Sequence, residues 1–360
     1  MILVTGATGF IGREILARLR AAGRPATALV RGPSAAARLA AAVGDAAGAG
    51  LDVVEADLAA PRCGLAPAVW RRLAARVDTV IHCAGDASFA PRDLDRFVAG
   101  HVEGPVALLH GLAPGRLRRW LQFSTAFVCG LRAGTVGEDE GDVGQAFRNP
   151  YERVKLAAET AIREAGCRTG VAVTVLRPSI VVGAAPATAG GGPSGLFFGF
   201  LRLAAGLAGL ARDGAGRLRI EGAPAAPFNI VPVAHVAAAA VGLAGLPAAA
   251  GETLHLVVPG APSQAAMLGM ITERLGGTGL ELVDARAGGL PQATALERRV
   301  ARMLEPYRAY LVHDVRFDDA RAARLLALAG VPRPRLGRDE VRRLIDLALR
   351  GAPAAAATPP

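Results

Sequence analysis

Short apolar runs alternate with stretches of helical period through the first half of the chain. Residues 2–5 (ILVT) predict a strand and residues 12–22 a helix. Further strands are predicted at 26–30, 52–56, 79–84, 120–124 and 171–176, with helical patterns between them, among them 67–75 and 105–112. Strands that alternate with helices make βαβ units, hence a parallel sheet covered by helices on both faces. Residues 151–165 predict a helix closed by Gly166.

After Val182 the pattern changes. Residues 183–195 are rich in Gly, Ala and Pro and predict a loop. An apolar run follows, 194–211, with four glycines and Arg202 in it; a buried or pocket-lining helix and a membrane-surface contact are its two readings. A Pro/Ala stretch at 222–227 precedes a strand expected at 253–258. Residues 261–350 read as mostly helical, and the tail 351–360 as disordered. The expected class is α/β: a doubly wound parallel sheet over 1–182, rejoined by 228–258. A smaller, mostly helical C-terminal substrate lobe is expected from 183–227 and 259–350.

Composition narrows this picture. The chain is 360 residues, 52 % hydrophobic but only 4 % aromatic, with a formal charge of +10. The positive balance has two readings: an arginine-rich composition, or a surface that attracts phosphorylated or acidic partners. The arginines are scattered and no nucleic-acid motif is present, so nucleic acid is not an expected partner. Cys63, Cys83, Cys129 and Cys167 are far apart and show no metal-ligand spacing. Reduced thiols, a cytoplasmic location and no metal are expected. A strand starting at residue 2 is expected to leave no room for a signal peptide.

The glycine pattern VTGATGFIG follows the first strand and opens the first helix. Gly6 permits the tight turn, Gly9 admits a pyrophosphate to the backbone, and Gly12 lets helix and sheet approach. Thr8, Phe10 and Ile11 complete this phosphate loop, and the helix N-terminus favours the anion. A Rossmann dinucleotide fold follows. The second strand ends in LVRG, with Arg31 where an acid would hold a ribose 2′-OH, and Arg38 further on. Arginine pairs phosphate bidentately, so NADP(H) is expected over NAD(H), with a solvated loop arginine as the other reading. Asp57 and Leu58 end the third strand, as an adenine site or, for Asp57, as a helix N-cap. Cys83, Ala84 and Gly85 end the fourth strand at the cofactor edge of the sheet.

Lys155 is the only lysine among forty-one basic residues, and it lies four residues after Tyr151. On a helix these share a face. A compact ammonium beside a phenol is expected to lower the phenol pKa and make it an acid–base group.

The ordered set TGATGFIG, HCAG, Ser124–Thr125, Tyr151-x-x-x-Lys155 and RPSIVVG (177–183) resembles the extended short-chain dehydrogenase/reductase family. Its wording is most similar to the fatty-acyl-CoA and thioester reductase branch, through HCAGDASF, FSTAFVCG, GEDE before NPYERVK, and HLVVP. The resemblance implies Thr125, Tyr151 and Lys155 as catalytic residues and Pro178, Ser179 and Ile180 beside the nicotinamide. It implies NADPH-dependent reduction of an acyl thioester or a hydrophobic aldehyde or ketone. The family asparagine of the helix before strand five is His101 here, as an altered relay or as a structural histidine. The expected partner is a small hydrophobic substrate, on coenzyme A or an acidic acyl carrier protein; a weak membrane-surface contact and a homodimer remain open options. The rival readings are a nucleotide-sugar epimerase or dehydratase, a hydroxysteroid- or flavonoid-type ketone reductase, and a non-enzymatic cofactor-binding redox sensor or assembly factor.

Overall fold

In a computed structural model, the described residues are 1–360 apart from 33, 35, 36, 38, 41–49, 184–196, 198–200, 202, 203, 205–216, 278 and 351–360. Five strands open the chain: β1 (Ile2–Thr5), β2 (Ala26–Val30), β3 (Leu51–Glu55), β4 (Thr79–His82) and β5 (Arg119–Phe123). With β6 (Gly134–Val136) off the sheet, β7 (Ala172–Pro178) rejoins it. β8 (Ile180–Val182), β9 (Leu218–Gly222) and β10 (Ile230–Pro232) follow, then β11 (Thr253–Leu256), β12 (Leu280–Asp284) and β13 (Val315–Phe317).

The central sheet has seven strands in the order β11-β7-β5-β4-β1-β2-β3, and every pairing in it is parallel. β1, β2 and β4 are buried at every residue, as a sheet covered on both faces requires. One face is covered by helices Phe10–Ala21 and Val233–Ala244, through Ile15, Leu19, Val236 and Ala240. The other carries Trp70, Leu73, Leu108, Leu112 and Ile162 from helices Pro67–Arg76, Gly104–Leu112 and Pro150–Thr169. The chain is thus a doubly wound α/β fold. Helices Gln264–Arg274, Ala295–Leu311, Ala320–Leu328 and Arg338–Arg350 supply its smaller, mostly helical C-terminal part.

Two features depart from the sequence pattern. The helix that begins at Pro150 runs through Gly166 to Thr169, and Gly170 is its left-handed cap, at φ 72°. Gly166 is a packing glycine: a Cβ there would lie 2.5 Å from Val173 Cγ2. Short parallel pairings, β9 with β12 and β6 with β13, add strands that the sequence pattern does not single out.

The acidic stretch GEDE is a structural joint. Glu138 is buried, and its carboxylate accepts from the backbone N–H of His255, Arg321 and Ala322, tying β11 to the start of helix Ala320–Leu328. Arg177 donates to the buried Glu159 carboxylate and to the carbonyl of Glu140. These bonds anchor the C-terminal helices to the sheet edge.

Candidate active site

Strand order reverses around β1, which has β2 on one side and β4 on the other. In open α/β sheets the crevice at such a switch point, beyond the carboxyl ends of the strands, takes the ligand. The loops after β1 and β4 meet there. Gly6 has φ +66°, and a Cβ on it would lie 2.6 Å from Ala84 N. A Cβ on Gly12 would lie 2.2 Å from the Gly6 carbonyl oxygen. Helix Phe10–Ala21 starts with no side-chain cap and no acid in its first turn, which leaves its N–H groups to an anion. Thr5 Oγ1 accepts from Ala84 N and bonds His82 Nδ1 at 2.8 Å, locking the two loops together. Cys83 donates its thiol proton to Thr5 O, and burial pushes its pKa up to about 12, so it is a packing group rather than a nucleophile.

The catalytic-type pair enters from the opposite wall. Asn149 caps helix Pro150–Thr169 by accepting from Glu152 N, with Pro150 at the first helical position. Tyr151 and Lys155 then share the helix face toward β5. Lys155 Nζ donates to the Phe123 carbonyl at 2.6 Å, and burial lowers its pKa to about 8 against the pull of Glu159. Tyr151 departs from expectation. Its phenol is raised, to about 12, by desolvation and by Glu152. Burial outweighs the ammonium, which points to Phe123 instead, so the phenol holds its proton at neutral pH.

Thr125 follows β5, and its hydroxyl accepts from Phe127 N to cap the short turn Ala126–Cys129. Next to it Ser124 Oγ is buried without a partner, as is Ser179 Oγ. His101 sits in a π-helical turn, Ala99–Glu103. Its Nδ1–H donates to Phe97 O at 2.8 Å, which makes Nε2 the acceptor, and Nε2 is also buried without a partner. Burial and the Lys155 charge hold its pKa below the ordinary histidine value. A Cβ on Gly85 would lie 2.9 Å from that Nε2.

Two adjoining cavities result. One, of about 530 Å³, is lined by Gly6, Gly9, Phe10, Ile11, Gly12, Cys83, Ala84, Gly85, Thr125, Tyr151, Lys155, Pro178, Ser179 and Ile180, as the sequence predicts. The other, of about 860 Å³, shares the glycine loop and adds Thr8, Arg31, Asp57, Leu58 and His101. Arg38 lies outside the described residues. The groups fit a dinucleotide: a glycine cradle that a Cβ would fill, an uncapped helix start, and buried unpartnered polar atoms along the walls.

Asp57 is in the second cavity but already engaged. Burial opposes its ionisation, yet Ala59 N–H and Arg96 at 2.6 Å hold its pKa below the usual carboxylate value. Arg92 and Arg96 line this cavity with Arg31; the sequence reading did not single them out.

It also passed over the aromatic wall of the first cavity: Phe89, Phe127, Tyr307 and Tyr310. Tyr310 accepts from Asn149 Nδ2 and donates to Glu152 Oε1. Glu152 is itself paired with the buried Arg148. Of the apolar run 194–211 only Phe197, Leu201 and Ala204 are described, and all three are buried in a core cluster with Val182, Ile230 and Met267.

Among the described residues no metal-binding cluster of His, Cys, Asp or Glu occurs, and no helix is long and apolar enough to cross a membrane.

The chain is similar to Peramine synthetase A of Epichloe festucae (strain Fl1), 32 % identical over 201 residues, which cover 51 % of this chain but 7 % of that protein. It is 27 % identical over 208 residues to a Carboxylic acid reductase of Segniliparus rugosus, covering 50 % of this chain and 17 % of the other. The chain therefore spans only a small part of these relatives. Its fold is that of the terminal R domain from the myxalamid PKS-NRPS pathway, at a TM-score of 0.78 and 24 % identity, over 97 % of this chain and 90 % of that one. A UDP-glucuronic acid 4-epimerase from Bacillus cereus shares the fold at a TM-score of 0.67 and 16 % identity, over 97 % of this chain and 98 % of that one. The family described as Male sterility protein matches residues 4–240. With its glycine loop, its switch-point crevice and its Tyr151/Lys155 pair, the chain belongs to that NAD-binding family, within the extended short-chain dehydrogenase/reductases.

Proposed function

We propose that the protein uses NADPH to reduce an acyl thioester, on coenzyme A or a carrier protein, or a hydrophobic aldehyde. The observation that carries this is the cavity that runs from the glycine cradle to Thr125, Tyr151 and Lys155 and is walled by apolar side chains beyond them. Relatives that include a Carboxylic acid reductase and a solved thiolation-reductase di-domain, with which the chain shares its fold, support the reading.

Held by the glycine loop and the walls of the two cavities, NADPH would supply the hydride for the carbonyl carbon. Thr125 orients the substrate oxygen, and Tyr151 donates its proton to that oxygen as charge develops. A phenol with a pKa near 12 is protonated at neutral pH, which suits an acid in the reductive direction. Lys155, held on the Phe123 carbonyl one helical turn from Tyr151, would turn its ammonium to the phenolate that forms and stabilise it. From a thioester, the hemithioacetal then releases a thiol and leaves an aldehyde. Arg31, with Arg92 and Arg96 on the same wall, favours a ribose 2′-phosphate.

The test is NADPH oxidation against acyl-CoAs, carrier-bound acyl groups and aldehydes, with conversion of UDP-sugars followed by product analysis. Turnover of thioesters or aldehydes, lost in Tyr151→Phe, supports the reading. Turnover confined to UDP-sugars with tightly held NAD overturns it in favour of an epimerase.

A further inference from the structure

The chain holds eleven Phe, three Tyr and two Trp, and seven of these sixteen rings line the first cavity. Phe10 and Phe123 belong to the cofactor side, on the glycine-loop helix and β5. Beyond Tyr151, the wall is Phe89, Phe127, Tyr307 and Tyr310, all half-buried. Among the described residues no leucine, abundant in the sequence, belongs to this lining. A chain this rich in aliphatic residues has ring after ring at one place, and aliphatic side chains nearly everywhere else.

The rings are ordered against one another. Phe89 stacks on Tyr310 at 5.5 Å between centroids and 21° between planes. Phe89 is also 6.2 Å from Tyr151, and Phe127 meets Tyr310 edge-on at 5.3 Å. The Arg148 guanidinium lies 5.0 Å from the Tyr310 ring centroid, and the Tyr310 hydroxyl is held by Asn149 and Glu152. The wall is therefore set by contacts among its own side chains.

We propose that this wall selects substrates whose acyl group carries an aromatic ring over saturated ones of equal size. The inference rests on the reductase reading above. Offset and edge-to-face ring pairs gain over the same area of aliphatic contact, by about two- to tenfold in affinity. A rigid ring wall also fits a flat group better than a coiled alkyl chain.

Phenylacetaldehyde, cyclohexylacetaldehyde and octanal test it, because a methylene insulates the carbonyl from the ring and evens out intrinsic reactivity. kcat/KM should favour the phenyl compound over the cyclohexyl one by at least threefold, through KM. Phe89→Leu should bring that ratio to about one by lowering kcat/KM for the phenyl compound more than for the cyclohexyl one; Phe127→Leu is the second such variant. Tyr310→Phe, which keeps the ring, should preserve the ratio. Equilibrium binding of phenylacetamide and cyclohexylacetamide to the NADPH-loaded protein reads the preference without turnover. Equal binding, or a ratio near one in the wild type, overturns the proposal. If none of the aldehydes is reduced while phenylacetamide still binds better, the wall stands and the reductase reading falls.

Discussion

Tyr310, near the end of helix Ala295–Leu311, donates its hydroxyl to Glu152 Oε1 at 2.8 Å. Glu152 is the residue after Tyr151, and the same hydroxyl accepts from Asn149, the cap of the Tyr151 helix. One phenol thus ties the C-terminal helices to the start of the helix that carries the acid–base pair.

Tyr310→Phe should expose this tie. It removes one of two donors to Glu152 Oε1, which keeps Arg148, and takes the partner from the Asn149 amide N–H, a loss of about 1–3 kcal/mol. The expected outcome is a lower Tm together with a several-fold drop in kcat, as Tyr151 loses its fixed position. A variant with wild-type Tm and kcat shows the tie to be idle. Thermal unfolding and steady-state kinetics on one preparation suffice.

The glycine cradle predicts a sharper effect. In Gly12→Ala the new methyl would lie 2.2 Å from the Gly6 carbonyl oxygen, so either the helix or the loop must move. Overpacking of this kind costs about 1–3 kcal/mol. Affinity for NADPH should fall at least tenfold, measured by fluorescence titration of the folded variant. Unchanged affinity removes the cradle from the cofactor site.

The unevenness of what the sequence revealed has physical causes. The sheet was legible because buried parallel strands such as β1 and β4 are short, continuous apolar runs. Gly6, Gly12, Tyr151 and Lys155 were legible because their spacing is local. β6 and β13 were not: each is three residues long, and they pair across about 180 positions with no period to read. The direction of the Tyr151 pKa was also hidden. It depends on burial and on where Lys155 points, and a four-residue spacing contains neither. Tyr310 belongs to the same class, since its partners at Asn149 and Glu152 are set by the packing of a distant helix.

Lys155 links function to stability with a definite sign. Its pKa is about 8 in the folded chain, against 10.5 ordinarily, because burial disfavours the charge even with Glu159 and Cys83 opposing. Between these values the unfolded chain binds more protons, so wild-type stability rises with pH there. Below pH 8 the buried ammonium costs on the order of 3 kcal/mol, offset in part by its bond to Phe123 O. Glu159 keeps Arg177 as a partner without it. Lys155→Met should therefore be inactive yet as stable as the wild type, or more so, at pH 7. That advantage should shrink as pH rises from 8 toward 10. Denaturant unfolding of both proteins at pH 7 and 9.5 checks it, and a growing advantage contradicts the assignment.

His101 supplies the last prediction. It stands in a π-helical turn with Nδ1–H on Phe97 O and an unpartnered Nε2 beside Gly85. Burial and the Lys155 charge keep it neutral, so near pH 7 it offers a lone pair and no second proton. A neutral acceptor at this place suits a water or a donor near Lys155, as the family asparagine carbonyl would. Asparagine should then replace it with little loss, whereas leucine, similar in bulk but without an acceptor, should not. His101→Asn is expected to keep kcat within about threefold, and His101→Leu to lose on the order of tenfold or more, the scale of one hydrogen bond in the reacting network. Asparagine Nδ2 stands near the Nδ1 position and can keep the bond to Phe97 O, so His101→Gln, whose amide reaches toward Nε2, is the variant that separates the two nitrogens. KM for NADPH, Tm and the pH dependence of kcat should be measured alongside. Equal activity in the asparagine and leucine variants makes the histidine a structural filler of the π turn.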